Sequence, residues 1–131
     1  MSFGDDLRKF ARKSDENAAI VHKKVAIDLF SRVIARTPVD TGRLRGNWQA
    51  GVREYAAGEL DRLDPSGGET TALMVTAVSS AEPHAALTLT NNLPYARRIE
   101  YDNWSQQAPA GMVRVSVAEF QGIVKEITGA E

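Results

Sequence analysis

The stretch that decides the fold is DENAAIVHKKVAIDLFSRVIA, residues 15–35. The apolar residues that recur in it every four positions are Val21, Val25, Leu29 and Val33. This spacing gives a helix with one apolar face, and about twenty residues make it roughly 30 Å long. Because Pro38 disfavours the helical conformation at Thr37, we predict that the helix ends there.

Upstream of this helix, Phe3, Leu7 and Phe10 also lie at helical spacing. They predict either a short amphipathic helix or an arm that docks elsewhere, and Ser14 or Asp15 is suited to cap the helix that follows. The length of 131 residues fits one domain. We therefore expect a single domain over residues 1–131, with residues 1–14 as an N-terminal arm.

Downstream, loose alternation of Trp48, Ala50 and Val52 predicts a strand from Leu44 to about Glu54. Residues 55–69 combine glycine, proline and charges, which predicts a mobile loop. Residues 70–80 suit either a helix or a strand, and we favour the helix. Alternation over residues 86–90 predicts a half-buried strand.

The C-terminal third begins with one or two helical turns over residues 95–101, followed by an irregular stretch to Gly111. Ser116 and Glu119 have the spacing of a capping box, so we place the start of the last helix there. Its predicted apolar face consists of Val117, Phe120, Val124 and Ile127. Gly129 is the expected C-terminal cap. The predicted fold class is α+β, a long N-terminal helix on a small, mostly antiparallel sheet, with a C-terminal helix.

The amino-acid composition argues against several classes of function. Hydrophobic residues make up 43% and charged residues 25%, which is typical of a globular domain. The net charge of −1 argues against a protein that coats nucleic acid. The absence of cysteine excludes disulfides and cysteine-ligated zinc. No apolar stretch approaches the ~18 residues of a membrane span, and the N-terminus lacks the apolar core of a secretory signal, so no membrane partner is expected.

The sequence carries few features of a catalytic site. No glycine-rich phosphate loop is present, and His22 and His84 show no metal-ligand spacing. The loop acids Glu59, Asp61 and Asp64 are able to bind a divalent ion, but a solvated loop is the favoured interpretation. We therefore predict no catalytic, cofactor or metal site and no enzymatic activity.

Two segments stand out, and the first is TPVDTGRLRGNW at residues 37–48. The residues that form a turn there are Pro38, Asp40, Thr41 and Gly42. Arg43, Arg45 and Trp48 are candidates for a subunit contact, since Arg and Trp are enriched at interface hot spots. For Trp48 a place in the core is the favoured alternative.

The second segment is NNLPYARRIEYDNWSQQAPAGMV at residues 91–113. It places three of the nine aromatic residues close together, namely Tyr95, Tyr101 and Trp104. Three interpretations remain open. The first is a core-facing aromatic cluster with a salt bridge, the second a docking surface that includes Arg97 and Arg98, and the third a nucleic-acid contact that adds Arg114. The balanced charge disfavours the third.

Together, in this order and spacing, the two segments resemble the small head–tail joining and tail-completion proteins of long-tailed bacteriophages, of the minor tail protein Z type. The matching positions are Thr37, Pro38, Val39, Asp40, Thr41, Gly42, Leu44, Arg45, Trp48, Asn91, Pro94, Tyr95, Ala96, Glu100, Tyr101, Ser105, Pro109, Gly111 and Met112. Asp102 stands where the family commonly has glycine, so the turn there is expected to differ.

The resemblance implies a structural role in the virion at the head–tail junction, after assembly in the host cytoplasm. It implies a ring of identical copies, with six as one form, that contacts other neck and tail proteins and lets DNA pass through its lumen. The interface candidates are Arg43, Arg45, Trp48, Tyr95, Arg97, Arg98, Tyr101 and Trp104. A nucleic-acid-binding accessory module and a small metal-assisted hydrolase that uses the loop acids are the alternatives.

Overall fold

A computed structural model describes residues 2–102, 105–108 and 110–129. The elements in chain order are α1 (Phe3–Arg36), α2 (Arg43–Gly46), β1 (Trp48–Val52), α3 (Gly68–Ser80), β2 (Leu87–Asn91), α4 (Ala96–Tyr101), α5 (Val113–Ala118) and α6 (Phe120–Thr128). The predicted fold class is confirmed: the molecule is a single compact α+β domain with a long N-terminal helix, a two-stranded antiparallel sheet and a C-terminal helix. None of the described helices has the length and hydropathy to cross a membrane.

Helix α1 is continuous over 34 residues and is roughly 50 Å long. The cap predicted at Ser14 or Asp15 is wrong, because both residues lie inside the helix. The capping box is formed at Ser2 instead, whose hydroxyl accepts from the Asp5 N–H at 3.2 Å while the Asp5 carboxylate accepts from the Ser2 N–H at 3.3 Å. Residues 8–13 are rich in Arg, Lys and Ala, which have high helix propensity, and they contain no Gly or Pro that would interrupt the helix.

The sheet pairs β1 with β2 in antiparallel register, from Trp48 opposite Asn91 to Val52 opposite Leu87. The strand begins four residues later than predicted, because Leu44 buries its side chain from the helical turn α2 and not from an extended chain. The helix interpretation of residues 70–80 is confirmed by α3, and the predictions for β2 and α4 hold within one residue.

The core lies between α1, α3, the sheet and the second segment. Its largest buried residues include Val33, Ile34, Trp48, Met74, Val78, Ile99 and Met112. Trp48 is 6% exposed, and its indole N–H donates to the Thr37 hydroxyl at 2.7 Å, which confirms the favoured core position.

The start of the C-terminal helical region differs from the prediction. The capping box at Ser116 and Glu119 is wrong, because α5 already begins at Val113 and Ser116 lies inside it with its hydroxyl bonded to the Met112 carbonyl at 2.9 Å. The predicted apolar face also missed Ile123, which is fully buried, whereas Val117 and Phe120 are about half exposed. Gly129 ends α6 as predicted, with a positive φ of 70°.

Candidate interaction surface

The two segments that the sequence singles out are neighbours in the fold. The Asn91 side-chain amide donates to the Leu44 carbonyl at 2.9 Å. A cleft of about 480 Å³ lies between the segments. We call it the motif cleft, and it is lined by Pro38, Val39, Asp40, Thr41, Gly42, Arg43, Leu44, Tyr95, Ile99, Ser105, Gln106 and Gln107. Residues that are about fifty positions apart in the chain therefore form one surface.

The turn of the first segment is held by Gly42, which has a φ of 88°. A Cβ atom there would lie 2.4 Å from the Pro65 nitrogen, so this approach requires glycine. The Gly42 carbonyl accepts from the Asp64 N–H at 3.0 Å, which fixes the turn to the end of the loop. The opposite wall of the cleft is joined to the turn by Gln107, whose amide bonds both the N–H and the carbonyl of Val39, at 2.9 and 3.1 Å.

Arg45 is used inside the chain. Its guanidinium donates to the carbonyls of Ala35 and Thr37 at the end of α1, at 3.0 and 2.7 Å, and to the carbonyl of Pro65 at 2.7 Å. It thereby connects the end of the long helix to the loop before α3, a role that also leaves its side chain half-buried.

Asn47 is a residue of this region that the sequence reasoning missed. It is fully buried, and its amide bonds the carbonyls of Arg43 and Leu60 at 2.7 and 3.0 Å. Its side-chain oxygen accepts from the Leu60 N–H at 2.7 Å. These bonds hold the middle of the loop predicted over residues 55–69. In the sequence, the only indication of this role was the position of Asn47 directly before Trp48.

Two of the loop acids, Asp64 and Glu59, have structural partners. Asp64 is buried and accepts from the Thr70 N–H at 2.7 Å at the start of α3. Burial acts to raise the pKa of Asp64, but the bond from Thr70 and the charge of Arg62 outweigh it, so the pKa is lowered. Glu59 lies 3.5 Å from the Arg43 guanidinium. Within the described residues, no three acidic or histidine side chains are placed to hold a metal ion.

The second segment is organised by Glu100, a role that the sequence alone did not indicate. Its buried carboxylate accepts from three consecutive N–H groups at the start of α5, those of Met112, Val113 and Arg114, at 2.6, 2.9 and 2.7 Å. It is therefore the cap of that helix, from twelve or more residues away. Gly111 has a φ of 90°, and a Cβ there would lie 2.8 Å from Glu100 oxygens.

Around this cap, arginines surround an exposed aromatic ring. The guanidinium carbons of Arg97 and Arg114 lie 5.6 and 5.2 Å from the centroid of Tyr101, within cation–π range. Tyr101 is 60% exposed, and Arg97 and Arg98 are exposed beside it. We call Arg97, Arg98, Tyr101 and Arg114 the Arg–Tyr surface.

Of the three aromatic residues of the second segment, Tyr95 and Tyr101 are described, and they do not face the core together. Tyr95 is half-buried, packs against the core and lines the motif cleft. Tyr101 faces outward, so the core-facing interpretation is wrong for this residue. Glu100 forms a salt bridge at 3.5 Å, but its partner is Arg114, which follows the segment. Trp104 lies outside the described residues. Pro94 is exposed and lies before α4. It directly precedes Tyr95, which lines the cleft.

No protein-family model, curated protein or solved structure matches this chain.

Proposed function

We propose that this chain is a structural protein of a tailed bacteriophage or prophage virion, which completes the tail or joins it to the head by assembling as a ring. The observation that carries the proposal is the meeting of the two segments in which the resemblance lies, across the motif cleft. They belong to one surface, as expected of segments that serve one contact.

Some polar residues of these segments hold the fold together and others are exposed, and this arrangement supports a protein contact. The half-buried Arg45 and the buried Asn47 and Glu100 hold the turn, the loop and α5. The Arg–Tyr surface is exposed to solvent on α4 and at the start of α5. Arginine and tyrosine are residue types that dominate the binding energy of protein interfaces, so this exposed set is suited to bind a neighbouring subunit.

The test is negative-stain microscopy of particles from a phage or prophage that lacks this gene. We expect full heads apart from finished tails, and intact virions once the protein is added back. The variant Arg97→Gln/Arg98→Gln should fold normally and fail to restore joining. A matched variant, Lys24→Gln/Arg53→Gln, also removes two exposed cations but lies outside the two segments, and it should restore joining. Intact virions without the gene would refute the proposal.

A second candidate is direct contact with nucleic acid. It is favoured by the three arginines of the Arg–Tyr surface, since cations around an exposed aromatic ring are suited to phosphates and stacked bases. It predicts an affinity for DNA that falls steeply as salt is raised.

A further inference from the structure

The outer side of strand β2 presents backbone groups that point away from β1. In an antiparallel pair, residues that bond the partner strand alternate with residues whose N–H and C=O groups point away from it. The Arg53 N–H donates to the Ala86 carbonyl at 2.8 Å, one position beyond the last pair of the ladder. This bond sets the alternation, so the N–H and C=O groups of Leu87, Leu89 and Asn91 point outward. We call these groups the outer edge of β2.

The outer edge of β2 has no hydrogen-bond partner in the part of the chain that the structure describes. All five residues of the strand are partly exposed to solvent. The edge of β1 differs, because the outward carbonyl of Trp48 accepts from the Arg62 guanidinium at 3.2 Å. The chain itself therefore bonds the edge of β1, and β2 is the strand at which a further strand is able to add.

Strand β2 also lacks the features by which proteins usually prevent edge strands from pairing. Such features are charged side chains, proline and β-bulges. The sequence LTLTN at residues 87–91 contains no charge and no proline, and its register with β1 is continuous. A row of outward N–H and C=O groups without this protection is suited to pair with another extended strand.

The strand of a second copy matches this edge. In the antiparallel register centred on Leu89, Leu89 lies opposite Leu89 of the second copy, and Leu87 lies opposite Asn91. Each outward N–H and C=O group then faces an outward group of the other strand. Like charges do not meet in this register, because the strand has no charged residue.

The threonines of β2 favour a copy of the same strand as the partner. The Oγ1 atom of Thr90 is buried and has no hydrogen-bond partner among the described residues, which is unfavourable for a hydroxyl. In the register centred on Leu89, Thr88 of the second copy lies opposite Thr90, at a Cα separation of about 4.5 Å. The Thr88 hydroxyl donates to the Glu54 carbonyl at 3.1 Å, so its oxygen is still able to accept from Thr90. Threonine pairs of this kind stabilise sheets.

We propose that β2 of one copy pairs with β2 of a second copy, in the antiparallel register centred on Leu89. The two sheets then form one sheet in which the two copies of β2 are the central strands. The contact is two-fold symmetric and closes at two copies, so it is separate from the contact that builds a ring. It therefore goes beyond the proposed function and does not depend on it.

Amide hydrogen exchange measured by NMR tests this pairing on the unmodified chain. Sedimentation first identifies the concentration at which two copies associate. With about nine-tenths of the chain paired, the outward amides of Leu87, Leu89 and Asn91 should exchange about tenfold more slowly than in dilute solution, because only the unpaired fraction is open to exchange. The amides of Thr88 and Thr90 are the internal control, since they face β1 and should be protected at both concentrations.

The variant Leu87→Pro removes one outward N–H at the first position of β2, where a strand tolerates proline. Leu87→Ala is the matched control, because it loses the same side chain and keeps the N–H. We expect proline to weaken the association about tenfold relative to alanine, since two bonds of the pair are lost. Circular dichroism checks that both variants are folded.

Three outcomes would overturn the proposal. The first is a chain that sediments as a single copy at every concentration, in which case the outer edge of β2 serves a strand of another protein or none. The second is association that leaves the exchange of the three outward amides unchanged. The third is equal association of the folded Leu87→Pro and Leu87→Ala variants. These measurements need no phage, so their failure is distinguishable from failure of the proposed function.

Discussion

Gly111 is required for its backbone conformation, and the residues next to it in the sequence do not indicate this requirement. Its φ of 90° and the nearness of Glu100 leave no room for a side chain. Gly111→Ala should therefore lower the free energy of unfolding by about 2 kcal/mol, through strain at a positive φ and a displaced cap. Gly122→Ala is the opposite case, since this helical glycine faces open space, and it should raise stability by about 1 kcal/mol. Urea unfolding of both variants, compared with the original chain, measures the two changes.

Glu119 links stability to pH. Its hydrogen bond with the Arg36 guanidinium, supported by Arg32, lowers the pKa of this carboxyl from 4.5 to about 2. A carboxyl whose pKa is lower in the folded state contributes stability above its unfolded pKa and loses it as the pH falls towards the folded value. We expect the melting temperature to fall between about pH 4.5 and pH 2.

The variant Glu119→Gln isolates this effect from the other carboxylates. It should melt lower than the original chain at pH 7, and the difference should shrink as the pH is lowered through that window. Because the pair is partly exposed, added salt should also reduce the difference. A difference that is constant from pH 7 to pH 2 would contradict the role of ionised Glu119.

At the scale of elements, periodicity identified the parts of the fold that depend on local pattern. The apolar repeat of α1, the alternation of β2 and the helical spacing of α3 all follow from which side chains must be buried together. The start of α5 did not follow from local pattern, because its cap is Glu100, which reaches it through tertiary contact. The turn α2 was missed for a similar reason, since Leu44 is buried by partners distant in sequence.

The two halves of α1 should differ in stability. Side chains over residues 6–18 are exposed, whereas Val33 and Ile34 are buried in the core. A helical stretch of this length is marginal without packing. In dilute protein we therefore expect amide hydrogens before Asp15 to exchange far faster than those of residues 26–36, as measured by hydrogen–deuterium exchange. Uniform protection along α1 in the monomer would show that the first half is stabilised by other contacts.

At the scale of the whole molecule, the sequence identified the segments of the candidate site but not how they are used. The clustering of Arg and aromatic residues was visible in the chain, as were the glycines of the turns. Arg45 bonds carbonyls inside the chain, whereas Arg97 is an exposed cation. This difference depends on which carbonyls lie within reach of each side chain, and their positions are set only when α1, the loop and α4 pack together.

The salt dependence of DNA binding distinguishes a contact with protein from a contact with DNA. The free chain has a net charge of −1, and the Arg–Tyr surface contributes three arginines. A protein that neutralises about three phosphates has a log–log salt dependence no steeper than about 3 and binds weakly at physiological salt. We therefore expect fluorescence anisotropy to detect DNA binding by the monomer at low salt alone, and Arg97→Gln/Arg98→Gln to abolish it. Tight binding with a steeper slope would instead make nucleic-acid recognition the main activity, at a basic surface larger than the three arginines of the Arg–Tyr surface, because three cations do not account for that many phosphate contacts.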